Sequence, residues 1–304
     1  MTKKEILKTI ELRQSTIQDY LNCPLMFRFK HIEKLEPALR HPAALHGSTL
    51  HKLIYMIHLD KWNMNVVHYY RDVFEYFEFY SPEESHIPVL WKTDREKELE
   101  VFEKNAIEIL DGYRRKPANR EAVVLYAEQE FRVKIAGHWF MGTVDQVRRN
   151  PDGTVELIDF KSGRQQPTVA YLQNDWQLNL YIYALRYGEL KVGDEWIKTR
   201  LLPDYASWYF LRGHEIRKRT TVNGSAGEEK GPTLIRTEKG LPELRTFRRE
   251  MEKLLRVMLK DWHYPNPNHC QICNYSRYCL DRHNPLSDDL VEKAKRLLSE
   301  SEVE

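Results

Sequence analysis

Apolar and polar positions along the chain change their period twice. Behind Ser15–Thr16, a good N-cap pair, the run IQDYLNCPLMFRFKHIEKL carries apolar residues at helical spacing. Residues 46–80 and 94–116 continue that pattern, the first rich in aromatics and the second in acidic–basic pairs. The period then shortens, and VVLYAEQEFRVKI, HWFMGTVDQVRR and TVELIDFK read as three successive strands. A helix is predicted at about Thr168–Tyr187, a strand near Ser207–Arg212 and a final helix at about Pro242–Asp261. The stretch 213–240 is polar, with Gly224, Gly227, Gly231 and Gly240, and reads as a mobile loop or long hairpin. This order predicts one α/β or α+β domain over residues 1–283. Its parts are a helical region (about 15–120), an α/β core (about 121–212), the loop, and a C-terminal helix with a cysteine cluster (241–283), before a charged tail at 284–304.

Composition narrows the class. The chain has 304 residues, 41% hydrophobic and 12% aromatic, enough for a bulky packed core. No stretch approaches the roughly 18 consecutive apolar residues of a membrane span, and MTKKEILKTIELRQ has no apolar run behind its lysines. A cytoplasmic protein without a membrane partner is expected. Lys+Arg 47 against Asp+Glu 45 excludes a polybasic coat, so a polyanion would be met by a local groove. Four cysteines in an intracellular chain suggest metal ligands or small buried hydrophobes rather than a disulfide scaffold.

The hairpin between the second and third strands carries the sharpest chemistry. Asn150–Pro151–Asp152–Gly153 suits a type I turn followed by a left-handed glycine. With Asn150 opposite Thr154, counting back sets Asp145 opposite Asp159. Two facing carboxylates repel and call for a positive group between them. Asp159 and Lys161 share one strand face, while Ile158 and Phe160 share the other. Such a set suits metal-assisted phosphodiester hydrolysis, with carboxylates on a hard cation and the lysine steadying developing negative charge. A solvated Asp, Asp, Lys face is the alternative reading. His51, on a helical stretch opened by Gly47, could add a nitrogen ligand or be an ordinary hydrogen-bonded histidine. Gln177 and Tyr181 share a helix face and could contact a phosphate or base, or be plain helix surface.

Taken in order, Gly47-x3-His51, Gly142-Thr-Val-Asp145, Asp159-Phe-Lys161 and Gln177-x3-Tyr181 resemble the RecB-type branch of the PD-(D/E)XK nuclease superfamily. The resemblance implies a restriction-endonuclease-like core, a central mixed sheet flanked by helices. It also implies Mg²⁺ or Mn²⁺ on His51, Asp145 and Asp159, Lys161 as catalytic lysine, and Gln177 and Tyr181 in substrate handling. Glu128 resembles an acidic position on the preceding strand.

Cys270-x2-Cys273-x5-Cys279 near the C-terminus must join a lone upstream Cys23 to make a quartet. Four thiolates suit a [4Fe–4S] cluster; zinc on Cys270, Cys273, Cys279 and His283 is the rival. The arrangement resembles the iron–sulfur subgroup of these nucleases, as in the AddB nuclease domain and CRISPR-associated exonucleases. A structural clasp between the chain's two ends is expected. No phosphate loop of the G-x4-GK[ST] kind occurs, so a helicase or a CRISPR integrase would be a separate partner. Arg212, Arg217, Lys218 and Arg219 could track a backbone, and Trp62, Tyr69, Tyr70 and Trp91 could stack on bases, although core packing for the aromatics and solvated surface for the basic run are the stronger readings. The expected activity is that of an exonuclease on single-stranded DNA ends, in repair, recombination or CRISPR adaptation. An idle DNA-binding scaffold subunit and a structure-specific endonuclease are the alternatives.

Overall fold

Cys23 is extended (φ −159°, ψ 108°) because Pro24 follows it, and the first helical run breaks there. The computed structural model describes residues 10–279 apart from 11, 60–61, 63–64, 83, 164–167, 213–232 and 259–262. Helix α1 (Gln14–Asn22) is followed by α2 (Pro24–Phe27), which runs into a π-helical turn at Arg28–Ile32. Next come α3 (Pro42–Leu59), α4 (Tyr70–Glu75), α5 (Arg95–Arg115) and α6 (Pro117–Glu121). In α5, Asp94 caps the N-terminus by accepting from Lys97 N–H, and Arg114 and Arg115 complement the dipole at the other end. Its buried Leu99, Ala106, Ile109, Leu110 and Tyr113 fall on one stripe.

The strands β1 (Val123–Ile135), β2 (His138–Arg149) and β3 (Val155–Lys161) match the three alternating segments of the sequence. They are followed by α7 (Val169–Gln173), α8 (Trp176–Tyr187), β4 (Glu189–Val192) and β5 (Glu195–Ile197). The chain then forms β6 (Tyr205–Phe210), β7 (Thr233–Thr237) and α9 (Leu241–Met258). The seven strands make one sheet in the order β5-β4-β1-β2-β3-β6-β7. It is mixed: β3 and β6 are parallel and the other pairs antiparallel.

Two cores lie on the two faces. One joins Phe131, Val133 and Phe140 to α8 and α9; the other joins Ile158, Phe160 and Tyr209 to α3, α4 and α5. This is an α/β fold with helices flanking a central mixed sheet.

Three expectations change. The helix expected at 168–187 is two helices, because Asn174 leaves helical geometry and Asp175 caps a new start by accepting from Leu178 N–H at 2.8 Å. The stretch 213–240, expected as a mobile loop or long hairpin, narrows to the hairpin reading where it is described, since Thr233–Thr237 pairs antiparallel with β6; residues 213–232 lie outside the described residues, as does the tail. The short β4 and β5 were not anticipated.

Candidate active site

The site begins with register. In the β2–β3 hairpin Asn150 N–H donates to Thr154 O (2.8 Å) and Gly153 N–H to Asn150 O (2.9 Å). Gly153 has φ +88°, the left-handed position that closes this loop without a Cβ clash. Pairing runs from Arg149↔Val155 to Gln146↔Ile158 and stops one step short of Asp145 and Asp159. There the two strands part, and Asp145 Oδ2 accepts from Phe160 N–H at 2.7 Å.

On the other side, Ala127↔Gln146 and Gln129↔Val144 set Glu128 across from Asp145. A bulge between Val124 and Tyr126 shifts the register, and Glu128 holds a left-handed backbone with φ +46°. Such a conformation in a residue with a side chain costs about 1–3 kcal/mol and tends to gather at functional sites. Glu128, Asp145 and Asp159 thus stand in one row across β1, β2 and β3. Parallel pairing extends the row to Trp208 on β6, opposite Asp159.

Helix α3 brings the imidazole. His51 Nδ1 is 3.5 Å from Asp145 Oδ2 and 4.0 Å from Glu128 Oε1. One ligand atom from each of His51, Glu128 and Asp145 lies within 4.8 Å of the others, a set able to hold a metal ion. The expected third member, Asp159, is outside that set, because its Oδ2 is drawn to Lys161 Nζ at 2.6 Å. Its Oδ1 has no hydrogen-bond partner among the described residues, although the side chain is only 1% exposed. A buried carboxylate oxygen left unpaired beside a cluster of ligands fits a site for a divalent cation.

A second chain of contacts leads away from Asp159. Lys161 Nζ donates to Gln177 Oε1 at 2.6 Å, and Gln177 Nε2 donates to the Tyr181 hydroxyl at 2.8 Å. The Lys161 ammonium also lies over the Trp208 ring, 4.9 Å from its centroid. Tyr181 meets Phe131 edge-on, and Phe131 leaves no room for a side chain at Gly142, where a Cβ would sit 2.8 Å from the ring. The Gly142 and Tyr181 positions are therefore one packing unit.

Charge is concentrated here. Burial works to lower the His51 pKa, but Asp145, Glu128 and Asp159 raise it to about 9. Burial, with Asp145 next, raises Glu128 to about 7. Burial also raises Asp159, against the pull of Lys161. Lys161 itself is raised: burial opposes this, and the Asp159 charge outweighs it.

The four cysteines come together differently. Cys23, Cys270, Cys273 and Cys279 line one cavity with Leu25 and Phe29, and none is in a disulfide. No three of these thiols gather within 4.8 Å as the His51 set does. Burial, then the nearby Cys23, Cys270 and Cys279, push the Cys273 thiol up to about 11. His283 lies outside the described residues.

The other expected contacts separate. Tyr70 and Trp91 are core residues, 0% and 6% exposed, and Trp62 stacks on Tyr113; only Tyr69 of that group is exposed. Arg212 is buried, and residues 217–219 lie outside the described residues. Sequence reasoning missed Asp175, whose cap positions Gln177 in the first turn of α8; the Asn174–Asp175 pair in mid-run was its signal.

A family model described as the PD-(D/E)XK nuclease superfamily matches residues 11–280. Among solved structures, a candidate exonuclease from Eubacterium rectale is 14% identical, with a TM-score of 0.49, covering 94% of this chain and 93% of its own. The protein SSO0001 is also 14% identical, with a TM-score of 0.37, covering 91% and 93%. No curated protein matches the sequence. No helix among the described residues is long and apolar enough to cross a membrane.

Proposed function

The chain belongs to the PD-(D/E)XK nuclease superfamily, and from that premise we propose that it is a divalent-metal-dependent deoxyribonuclease acting on single-stranded DNA ends. The observation that carries this reading is the meeting of His51, Glu128 and Asp145 within ligand distance, beside an Asp159–Lys161 pair. His51, Asp145 and Asp159 hold Mg²⁺ or Mn²⁺ in this reading, and Glu128 shares the site. A divalent cation bound there supplies charge neutralisation of the phosphodiester and a lowered pKa for water.

The protein's own groups do the rest. Asp159 and Gln177 hold the Lys161 ammonium in place, so its charge is fixed before the phosphate arrives. Preorganised positive charge of this kind stabilises the negative charge that builds up on phosphoryl oxygens. Lys161 keeps its proton, so it acts as an electrostatic and orienting group rather than as the base. Tyr181 fixes the Gln177 amide, with Phe131 behind it. DNA repair, recombination or CRISPR adaptation, beside a helicase or an integrase, is the setting this reading suggests.

A [4Fe–4S] cluster on Cys23, Cys270, Cys273 and Cys279 is the second part of the proposal. Its support is that thiols almost the whole chain apart line one cavity.

The test is cleavage of end-labelled linear DNA against circular single strands, with Mg²⁺ or Mn²⁺ added. Asp159→Ala and Lys161→Ala abolish cleavage on this reading, and circular strands survive. Full activity in either variant refutes the site assignment; cutting of circles refutes the exonuclease assignment.

A further inference from the structure

The row of carboxylates ends on an aromatic pair that the proposed chemistry does not use. Trp208 lies opposite Asp159 in the parallel ladder, under the Lys161 ammonium. Tyr171 on α7 meets Trp208 edge-on, ring centroids 5.7 Å apart at 64°. Yet Tyr171 is 56% exposed. A large aromatic ring is therefore braced from behind and open in front, two contacts from the reacting centre.

The helix that presents it is held with unusual care. Helix α7 is five residues long, too short to be stable by itself. Thr168 caps it by accepting from the Tyr171 N–H at 3.2 Å. At the other end Lys239, only 3% exposed, donates to the carbonyls of Leu172 (2.9 Å) and Gln173 (2.7 Å). Burying an ammonium is costly, and burial lowers the Lys239 pKa to about 8 even with Asp175 and Glu243 nearby. That cost is met at the corner that carries Tyr171. A rigid tyrosine gives large contact area with little loss of side-chain freedom.

We propose that Tyr171, braced by Trp208, is a stacking subsite for the nucleobase beside the phosphate that Lys161 faces. The ligand is a base of a single strand, since the π-face of any base serves and a paired base would not offer it. The proposal rests on the nuclease reading of the Asp159–Lys161 site. It adds a base contact to a set of residues that otherwise touches only phosphate.

The test is binding of a fluorescent single-stranded DNA oligonucleotide, measured by anisotropy without divalent cation, with one base at a time replaced by an abasic residue. In the unaltered protein one abasic position weakens binding roughly 5- to 150-fold, the worth of one stacked base. Tyr171→Ala, an exposed change that spares the core, weakens the intact oligonucleotide to the same extent and no longer responds to that abasic position. Trp208→Phe keeps a supporting ring and retains most of the response. The subsite is overturned if Tyr171→Ala binds like the unaltered protein, or if its loss adds to the abasic loss instead of replacing it. Cleavage by Asp159→Ala would instead refute the assignment of the Asp159–Lys161 site, a separate result.

Discussion

Three histidines on α3 take opposite charge states because their neighbours differ. His46 contacts the Tyr70 hydroxyl (2.7 Å) and Asn105 (3.2 Å), and burial, with the Arg212 charge next, lowers its pKa to about 4. His58 is lowered to about 4 by burial and then by Arg148. His51, facing carboxylates, goes the other way, to about 9. His46 and His58 are thus neutral when folded, and the folded state binds fewer protons than the unfolded chain between about pH 4 and 6.5. Their contribution to stability is fully present above about pH 6.5 and is lost as pH falls through 4; for the fully buried His46 this amounts to about 3 kcal/mol. NMR titration of the imidazoles in metal-free protein checks this: His46 and His58 stay neutral down to about pH 5, and His51 stays charged past pH 7. A His51 signal titrating near pH 6.5 would refute the reading. Because a ligand imidazole must shed its proton, Mg²⁺ or Mn²⁺ affinity rises with pH towards 9. At this scale the sequence was readable where local rules govern. The turn residues Asn150 to Gly153 set the register that aligns Asp145 with Asp159. Glu128 was reached only through the family resemblance, because its place beside Asp145 follows from a bulge and a left-handed backbone that no composition announces.

Among the elements, β3 carries most of the design. Asp159 and Lys161 on one of its faces serve the candidate site, and Glu156 on the same strand ties four strands together. Glu156, fully buried, accepts from Arg148 (2.9 Å), Arg236 (2.8 Å), Ser207 (2.6 Å) and Asn150 (3.1 Å). Burial alone would raise its pKa, but Arg236 and Arg148 hold it below the usual carboxylate value. Removing this carboxylate leaves Arg148, itself 1% exposed, as a buried charge without its counter-ion. Glu156→Ala therefore destabilises by about 3–5 kcal/mol, seen as a lower urea midpoint with an unchanged slope. A loss below 1 kcal/mol would mean that water replaces the carboxylate. On α8, Asp175→Ala removes the cap that starts the helix and costs about 1 kcal/mol, while Asp175→Asn restores most of it. Long strands with clean alternation were legible from sequence; β4, β5 and β7 were not. With three to five residues each, they show too little alternation, and their pairing is decided by the sheet edges they meet.

For the whole molecule, the decisive contact joins the two ends of the chain. Leu25 N–H donates to Tyr264 O (3.1 Å), Ala38 N–H to Asn274 O (2.9 Å) and Asn266 Nδ2 to Asn22 O (2.7 Å). The Asn266 N–H points at Cys23 Sγ, 3.3 Å away. These bonds carry little apolar burial: the packing around Cys23 and Cys273 is a small satellite of Met26 and Tyr275, separate from the two main cores. So few contacts would hold chain ends some 240 residues apart only weakly against loop-closure entropy; on the cluster proposal, a metal group on the four thiols would supply what they lack. The cysteine types and spacing were legible in the sequence, and the approach of Cys23 to the other three was expected only through the family resemblance; the fold sets Cys23 beside the C-terminal segment, where all four line one cavity. If the quartet holds an iron–sulfur cluster, anaerobically purified protein is brown, and Cys23→Ser bleaches it. Hydrogen exchange then speeds up at the Leu25 and Ala38 amides, while amides in β2 and β3 stay protected. Asp159→Ala, by contrast, leaves the colour and this protection untouched. A colourless protein with stoichiometric zinc would assign the quartet to a different metal, and unchanged exchange in colourless Cys23→Ser would deny the group any part in closing the fold.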